Sequence, residues 1–322
     1  MTDMRNRSML EVLLAVGISF LFSRLDILNA VYLVPVLVVC ESCHGARRYL
    51  PVFLAGLLAV ACTVFQARAA LASKAGIIAV CISVFLPTML WISALIWISL
   101  GRKSMMRRYL TGASAGALGV LGFLIYLSQG GEAAMKVYAA MQDQFVSLFA
   151  SLGLADGAEG QLFSRNLVQF YRTVVLAMGC TACPLVMLFA GLNQFLALSM
   201  VHKGDDGFSE RLSYFHVAND LIWCFLGLWF AVCFGYFSHA SYLVRAILIN
   251  LAGCVTLVYG IQGFAIMLYR SRQKRPLSAT SLFWRLFIIM ALVPLVNTLL
   301  MCVIPLIGVT ETWIQYRKPK EN

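Results

Sequence analysis

Charged residues are scarce in this sequence. Only 12% of the chain is Asp, Glu, Lys or Arg, whereas 61% is hydrophobic, and a typical soluble domain is about 25% charged. This scarcity excludes an ordinary soluble domain, and it leaves no stretch polar enough to form a separate soluble catalytic domain. We therefore expect a single integral membrane domain over residues 1–322, embedded in a lipid bilayer.

The motifs of common catalytic sites are also missing. The sequence contains no H-E-x-x-H pair, Walker A loop, G-x-S-x-G elbow or paired-carboxylate site, and each of these places the reactive groups of a well-known chemistry. The four histidines are scattered along the chain. We therefore predict a protein that is not an enzyme and that holds neither a cofactor nor a metal.

The net charge of +11 comes from short basic clusters that lie between apolar runs. The connectors 101–109 and 270–281 each hold four basic residues and no acidic one. This distribution follows the positive-inside rule, which places such connectors in the cytoplasm. It favours a membrane protein over one that binds nucleic acid.

Long apolar runs fill the rest of the chain, and they predict an all-α, polytopic transmembrane helical bundle. The runs cover residues 9–22, 27–40, 50–66, 75–100, 109–127, 167–201, 217–237, 242–269 and 283–307. Because about 20 residues cross a bilayer, we expect about eight or nine crossings, with the short first two runs as tilted helices or a re-entrant hairpin.

The basic connectors also set the orientation of the bundle. They place the N-terminus in the cytoplasm. The count of crossings then puts the C-terminus outside, although its basic tail favours the cytoplasm. Either the run 283–307 breaks and returns, or the charge of the tail is too weak to matter.

The segment 128–166 is the longest connector between runs, and we expect it on the extracytoplasmic side. In its first half, residues 132–152, apolar side chains recur at helical spacing opposite Lys136 and Asp143. This pattern predicts an amphipathic helix at the outer membrane surface, followed by a flexible loop at 153–160. Such a helix either caps the bundle or gates a substrate cavity.

The stretch Leu167–His202 is the longest apolar run, and we expect the other helices to pack around it. Pro184 predicts a kink near its middle. On a helical wheel, small and polar residues form one stripe, which should face other helices rather than lipid. The stripe consists of Arg172, Gly179, Cys183, Ala190, Asn193 and Ala197.

Polar side chains within the apolar runs are the candidate site residues. Polar groups are costly at membrane depth, so they line a pocket for a small solute or form hydrogen bonds between helices. The candidates are Arg172, Asn193, Asn250, Gln262 and Asn297. Both interpretations stay open for all five. A third applies to Arg172, which lies near a helix end, because its long side chain can extend to the membrane interface.

Cysteine pairs suggest two further chemistries. Cys40, Cys43 and His44 match C-x-x-C-H, the attachment pattern of c-type haem, and Cys180 and Cys183 form a second C-x-x-C. Haem is attached on the outer side, whereas the neighbouring arginines favour the cytoplasm for the first pair. The second pair lies at mid-membrane, where apolar surroundings make a thiol unreactive. We therefore favour chance matches over haem, metal or redox sites.

The C-terminal third carries a more specific pattern. The stretch Gln262-Gly263-Phe264-Ala265 lies near the end of the penultimate run, and near the end of the chain Gly308, Glu311, Trp313 and Arg317 follow the spacing G-x-x-E-x-W-x-x-x-R. With these residues the chain resembles the YybS-like family of multi-pass bacterial membrane proteins. Glu311 stands where that family has an aspartate, and it keeps the charge.

The resemblance implies a location in the bacterial inner membrane, with the N-terminus in the cytoplasm, and a helical fold distantly similar to the S components of energy-coupling-factor vitamin transporters. Such a protein binds a small molecule between helices and works with a transmembrane scaffold subunit and ATPases. S components have six helices, fewer than the runs found here. The expected function is therefore transport-related binding of a small solute. The alternative is a non-catalytic scaffold or assembly factor of the cell envelope, in which the polar residues only join helices.

Overall fold

The computed structural model describes residues 2–25, 28–43, 48–101, 103–151, 158–203, 206–274 and 277–317, without the side chains of 2–8, 42, 149–151, 158–165 and 294–295. Over these residues the chain is all-α and has no strand. Its helices are α1 (Thr2–Arg24), α2 (Val34–Ser42), α3 (Tyr49–Gln66), α4 (Lys74–Ser99), α5 (Met105–Ser128), α6 (Gly131–Ser151), α7 (Ala158–Val201), α8 (Asp206–Ser213), α9 (Leu221–Phe237), α10 (Tyr242–Lys274), α11 (Ala279–Leu292) and α12 (Pro294–Thr310).

Five helices in the described part of the chain are long and apolar enough to cross a bilayer: α3, α4, α5, α10 and residues Asn166–Val201 of α7. Shorter apolar helices cover Leu28–Glu41, Leu221–Phe237, Ala279–Leu292 and Val296–Thr310. Large apolar side chains also face outward, and Trp223, Phe230 and Leu292 are 74%, 73% and 74% exposed. Such a surface is costly in water and matches the bilayer interior, so the architecture is that of a helical membrane bundle.

The first two apolar runs were expected as short tilted helices or a re-entrant hairpin, and the second is indeed a short apolar helix, whereas the first lies within a longer helix. Helix α1 begins at Thr2 rather than near residue 9 and has 23 residues, which gives it a length of about 34 Å. The second run is interrupted, because the 3-10 helix Leu28–Val31 precedes α2. A break of this kind leaves backbone groups without helical partners, and in a bilayer those groups need other partners.

Helix α7 is the centre of the bundle and packs against α2, α4, α5, α6, α10 and α11. The stripe predicted to face other helices is buried over most of its length. Its Cys183, Ala190, Asn193 and Ala197 are each 3% exposed or less, which confirms the prediction for these positions. Arg172 is an exception, because its side chain is exposed.

Helix α6 confirms the helix predicted at 132–152, apart from Leu152, which lies outside the described residues together with most of the expected loop at 153–160. It packs on α4 and α7. The rings of Tyr138 and Phe145 lie 5.5 and 5.3 Å from the ring of Tyr171 on α7. These aromatic contacts hold α6 against the central helix.

The last apolar run, expected as one segment at 283–307, is divided into α11 and α12. At Val293 the backbone is extended, with φ −125° and ψ 94°, and Pro294 begins α12. Because proline has no N–H and its φ is fixed, it suits the first turn of a new helix. The run therefore does not cross the bundle as one straight helix.

Both ends of the α11–α12 pair are bonded to α8 or to residues near it. The Ala279 N–H at the start of α11 donates to Ser209 Oγ at 2.9 Å, and Arg317, just past α12, donates to the Ser213 carbonyl at 2.8 Å. Collinear helices would separate these ends by about 45 Å, whereas the eight residues of α8 span only about 12 Å. The pair therefore turns back at Val293. This is the first of the two alternatives considered from the sequence, in which the run 283–307 breaks and returns.

Candidate functional site

Asn193 joins α7 to the break between the 3-10 helix Leu28–Val31 and α2. Its Oδ1 accepts from the Leu33 N–H at 3.1 Å, and its Nδ2 donates to the Ala30 carbonyl at 2.7 Å. Nδ2 also donates to the Phe189 carbonyl of α7 at 2.8 Å. The side chain is 2% exposed. It supplies the partners that the interrupted backbone needs away from water.

Asn250 on α10 likewise bonds to backbone groups of another helix, in the turn of α7 that precedes Pro184. Its Oδ1 accepts from the Cys183 N–H at 2.8 Å, and its Nδ2 donates to the Gly179 carbonyl at 2.7 Å. A third bond, from Nδ2 to the Ala246 carbonyl of α10, measures 2.8 Å. Pro184 follows Cys183 and has no N–H of its own, so Asn250 supports α7 where its hydrogen-bond ladder is weakest.

Gln262 on α10 connects the residues before α9 to the end of α12. Its Oε1 accepts from the Val217 N–H at 2.7 Å. Its Nε2 donates to the Gly308 carbonyl and to Glu311 Oε2, both at 3.0 Å. Like the two asparagines, this buried amide bonds mainly to backbone groups at the ends or breaks of other helices.

Glu311 and Arg317 extend this network to α8. Arg317 Nε donates to Glu311 Oε1 at 2.7 Å, and its Nη2 pairs with Oε2 of the same carboxylate. Its Nη1 donates to the Ser213 and Phe215 carbonyls at 2.8 and 2.7 Å. The Arg317 and Glu311 side chains are 7% and 5% exposed, so the pair is a buried, bidentate salt bridge whose Arg317 Nη1 is bonded as well.

The residues of the C-terminal sequence pattern thus lie together. A Cβ atom on Gly263 would collide with the Ile304 carbonyl, and one on Gly308 would collide with the Tyr259 carbonyl. Both positions therefore require glycine, because the backbones of α10 and α12 touch there. Trp313, by contrast, is exposed.

The other two candidate residues lie apart from these networks. Arg172 is on the exposed side of α7, and Asn297 is half-buried in α12. The Asn297 Oδ1 has no hydrogen-bond partner in the described part of the chain. Asn193, Asn250 and Gln262 share no bonding partner with one another, so the five candidates do not converge on one polar pocket.

An apolar cavity of about 560 Å³, open on one side, lies elsewhere, among α5, α7, α8, α10, α11 and α12. Its wall on α7 runs from Thr181 to Leu198, and α12 contributes Leu300, Met301, Ile304 and Pro305 to the lining. None of the five candidate residues is among the described residues that line it. The volume is typical of a site for a small molecule.

Four polar residues are among the described residues of this lining, and the hydroxyls of Tyr109, Thr181 and Thr256 each donate to a backbone carbonyl. The fourth is Gln194, which we did not choose as a candidate from the sequence. Its side chain is 4% exposed, and its Oε1 has no hydrogen-bond partner among the described residues. An unpaired buried polar group costs about 1–3 kcal/mol. The sequence signal that could have identified Gln194 is its position. It shares a helical face with Gly191 and Leu198, which also line the cavity.

The cysteine patterns form no recognisable reactive centre in the described residues. The Cys40 thiol donates to the Arg48 carbonyl at 2.9 Å, and that of Cys183 to the Ala117 carbonyl at 3.5 Å. His44 lies outside the described residues. Within the ranges that the structure describes, no three His, Cys, Asp or Glu side chains form a group that could hold a metal ion.

No protein-family model, curated protein or solved structure matches the chain. Its function must therefore be inferred from the chain's own geometry. The two relevant features are the cavity and the hydrogen-bond partners of each buried amide. Among the most buried amides of the described residues, Asn193, Asn250 and Gln262 are bonded to backbone groups, whereas the Gln194 Oε1 has no partner.

Proposed function

We propose that the chain is a multi-pass protein of the bacterial inner membrane that binds a small, mainly apolar molecule for transport. The observation that carries this proposal is the cavity of about 560 Å³ beside α7. It lies among helices rather than in a loop, and small-molecule sites of helical bundles are commonly built in that position. The molecule would reach it from the bilayer.

The same proposal includes the topology and the family. We infer about eight or nine crossings with a cytoplasmic N-terminus, and membership of the YybS-like family. The close packing of Gln262, Gly308, Glu311 and Arg317 supports the family assignment, because the residues of the sequence pattern interact with one another. As in the S components, the partners would be a transmembrane scaffold subunit and ATPases.

The test is native mass spectrometry of the protein extracted gently from its own membrane. We expect a small molecule bound in stoichiometric amount, and co-purifying ATPase subunits would extend the result to transport. Leu257→Trp, from α10, and Leu188→Trp, from α7, fill the cavity and should remove the bound molecule. Protein that is empty in every preparation and unaffected by both changes would refute the proposal.

A matched control is available on α10. Leu251 is 36% exposed and is not among the described residues that line the cavity. Leu251→Trp introduces the same side chain into the same helix, so its effect on folding is comparable. It should leave the bound molecule in place, and equal loss in both variants would indicate damage to the fold rather than occupation of the cavity.

The alternative function is a non-catalytic scaffold or assembly factor of the cell envelope. The observation in its favour is that Asn193, Asn250 and Gln262 are occupied by bonds to the backbone. Under this alternative the protein purifies empty and in company with envelope proteins. Substitution of Asn193 would then lower accumulation and partner association together.

A further inference from the structure

Two arginines from different helices meet at one carboxylate beside the connector 101–109. Glu41, at the end of α2, accepts from Arg108 Nη2 of α5 at 3.3 Å, and Arg48 Nη2, just before α3, lies 3.5 Å from the same oxygen, Oε1. Two cations therefore share one anion. The cluster keeps an excess of positive charge, which a second anionic group can neutralise.

Contacts other than the ion pairs hold both guanidinium groups in place. Arg108 is 8% exposed, its Nε donates to the Trp97 carbonyl at 3.0 Å, and its guanidinium carbon lies 3.9 Å from the centre of the Trp97 ring. Arg48 Nε donates to the Cys40 carbonyl at 3.4 Å. A carbonyl and an aromatic ring orient a guanidinium without cancelling its charge, so the two cations are preorganised for a further anion.

Each guanidinium keeps N–H groups that the protein does not use. Arginine has five N–H donors, and the contacts above involve only Nε and Nη2. In the described part of the chain, the Nη1 atoms of Arg48 and Arg108 donate to no acceptor, yet neither is among the buried atoms that lack a partner. Both atoms therefore reach the molecular surface, where a ligand can accept from them.

The arrangement of these donors suits a phosphate group. Both Nη2 atoms lie within 3.5 Å of the same Glu41 oxygen, so a single anionic group can contact both guanidinium groups at once. Phosphate offers several charged oxygens in one compact group, and arginine binds it through N–H···O bonds of about 2.8 Å. Two arginines from separate helices can therefore each take one oxygen of the same phosphate.

The surroundings of the cluster attract and admit such a group. The connector 101–109 holds four basic residues and no acidic one, and Lys103 and Arg107 are exposed within it. Gly101 leaves Arg48 Nη1 uncovered, because a Cβ atom at that position would lie only 2.9 Å from this nitrogen. Basic pockets between helices on the cytoplasmic side of a membrane bind the headgroups of anionic lipids, and the connector predicts that this side is the cytoplasm.

We propose that Arg48 and Arg108 bind a phosphate group at the cytoplasmic end of the bundle. The phosphate belongs to the headgroup of an anionic lipid or to a soluble phosphate compound, and both sources present the same oxygens to the two Nη1 atoms. Glu41 aligns the arginines, but its negative charge opposes the ligand. None of the three residues is among the described residues that line the cavity, so this inference is independent of the proposed transport function.

The test uses the full-length protein in dodecyl maltoside micelles, which contain no phosphate, and it separates the two sources. In one arm, native mass spectrometry follows the binding of added phosphatidylglycerol and of diacylglycerol, which lacks the phosphate. In the other arm, isothermal titration calorimetry follows the binding of inorganic phosphate. Phosphatidylglycerol should bind at about tenfold lower concentration than diacylglycerol. Binding of inorganic phosphate without that preference would assign the site to a soluble compound, and failure of both arms would overturn the proposal.

Glu41→Gln is the decisive variant, because a structural ion pair and a phosphate site predict different results. Loss of a purely structural carboxylate does not tighten phosphate binding, whereas at a phosphate site it removes a repelling charge and should raise the affinity about tenfold. Arg48→Gln should lower the affinity about tenfold, since it removes a charge-assisted bond. Arg107→Gln is the matched control, which removes the same charge from an exposed residue of the connector and should change the affinity by less than about threefold.

These outcomes decide the inference even where one variant accumulates poorly. Equal loss of affinity in Arg48→Gln and Arg107→Gln would indicate general attraction to a positive surface and would overturn the site. Unchanged or weaker binding in Glu41→Gln would overturn it as well, and this variant retains both arginines and the bond from Arg108 to the Trp97 carbonyl. Because the substitutions are outside the described cavity lining, either result leaves the proposed transport function standing.

Discussion

Asn193 and Gln194 are adjacent amides on α7 in opposite hydrogen-bond states. Both are buried, at 2% and 4% exposure. Asn193 bonds to Leu33 and Ala30 across the helix boundary, whereas the Gln194 Oε1 has no partner within the described ranges. Burial alone therefore does not identify a binding residue in this protein. The fold uses the first amide, whereas it leaves the Oε1 of the second without a partner.

The two positions should respond differently to the same substitution. Asn193→Leu leaves the Leu33 N–H and the Ala30 carbonyl buried without partners, and it should lower the free energy of unfolding by about 2 kcal/mol. Gln194→Leu breaks no such bond and should leave that free energy unchanged or raise it. Tryptophan fluorescence during unfolding of the ligand-free protein in detergent measures both. Equal destabilisation would contradict the distinction.

The contact between Gly253 and Pro184 gives a second prediction. A Cβ atom on Gly253 would lie 2.9 Å from Pro184 Cγ. Gly253→Ala should therefore destabilise the protein by about 1–3 kcal/mol through overpacking. In a Pro184→Ala background the ring is absent, so the added cost of Gly253→Ala should largely vanish. A double-mutant cycle on unfolding free energies tests this coupling, and additive effects would exclude it.

The sequence predicts the helical membrane class and the buried stripe of α7, because both follow from hydropathy and helical period. It also identifies Asn193, Asn250 and Gln262 as intramembrane polar residues. It does not reveal that Asn193 bonds to Leu33, 160 positions away. Such a pairing depends on where other helices break, and helical period carries no information about tertiary contacts.

The cavity was harder to predict for a related reason. Its lining is mostly apolar, so in the sequence its residues look the same as lipid-facing or core residues. Gln194 stands beside Asn193 and shows the same polarity. The difference between them is their bonding state, which exists only once α2 and α7 have packed.

The close approach of α10 and α12 gives a third prediction. Gly263→Ala or Gly308→Ala would drive a methyl group into a backbone carbonyl, which a side-chain rotation cannot relieve. Each change should destabilise the protein by about 1–3 kcal/mol or more. Gly122→Ala on α5 is the control, because an added Cβ there meets nothing within 4 Å. It should be neutral or stabilising by up to about 1 kcal/mol.

The buried pair of Glu311 and Arg317 gives a fourth prediction. Arg317→Met leaves the Glu311 carboxylate buried without its cation, and the expected cost is about 3–5 kcal/mol. Adding Glu311→Met removes that stranded charge and should recover part of the loss, although Gln262 then keeps only one of its two acceptors. Unfolding free energies in detergent measure each step. A double variant less stable than Arg317→Met would contradict this account.

The return of α12 toward α8 predicts the side of the C-terminus. Because both ends of the α11–α12 pair bond to the α8 region, a reporter at the C-terminus should lie on the same side as one fused after Lys274. The four basic residues of the connector 270–281 predict that this side is the cytoplasm. Green fluorescent protein should therefore fluoresce at both positions, and alkaline phosphatase should be inactive at both.

A fusion after His239 is the control for this topology, because it lies at the opposite end of α10, a helix of 33 residues that is about 50 Å long. Alkaline phosphatase should be active there. If it were also active at the C-terminus, α11 and α12 together would cross the membrane once, and the turn at Val293 would not exist in the bilayer. The same fusions therefore test the reversal of the last run and the orientation of the whole bundle.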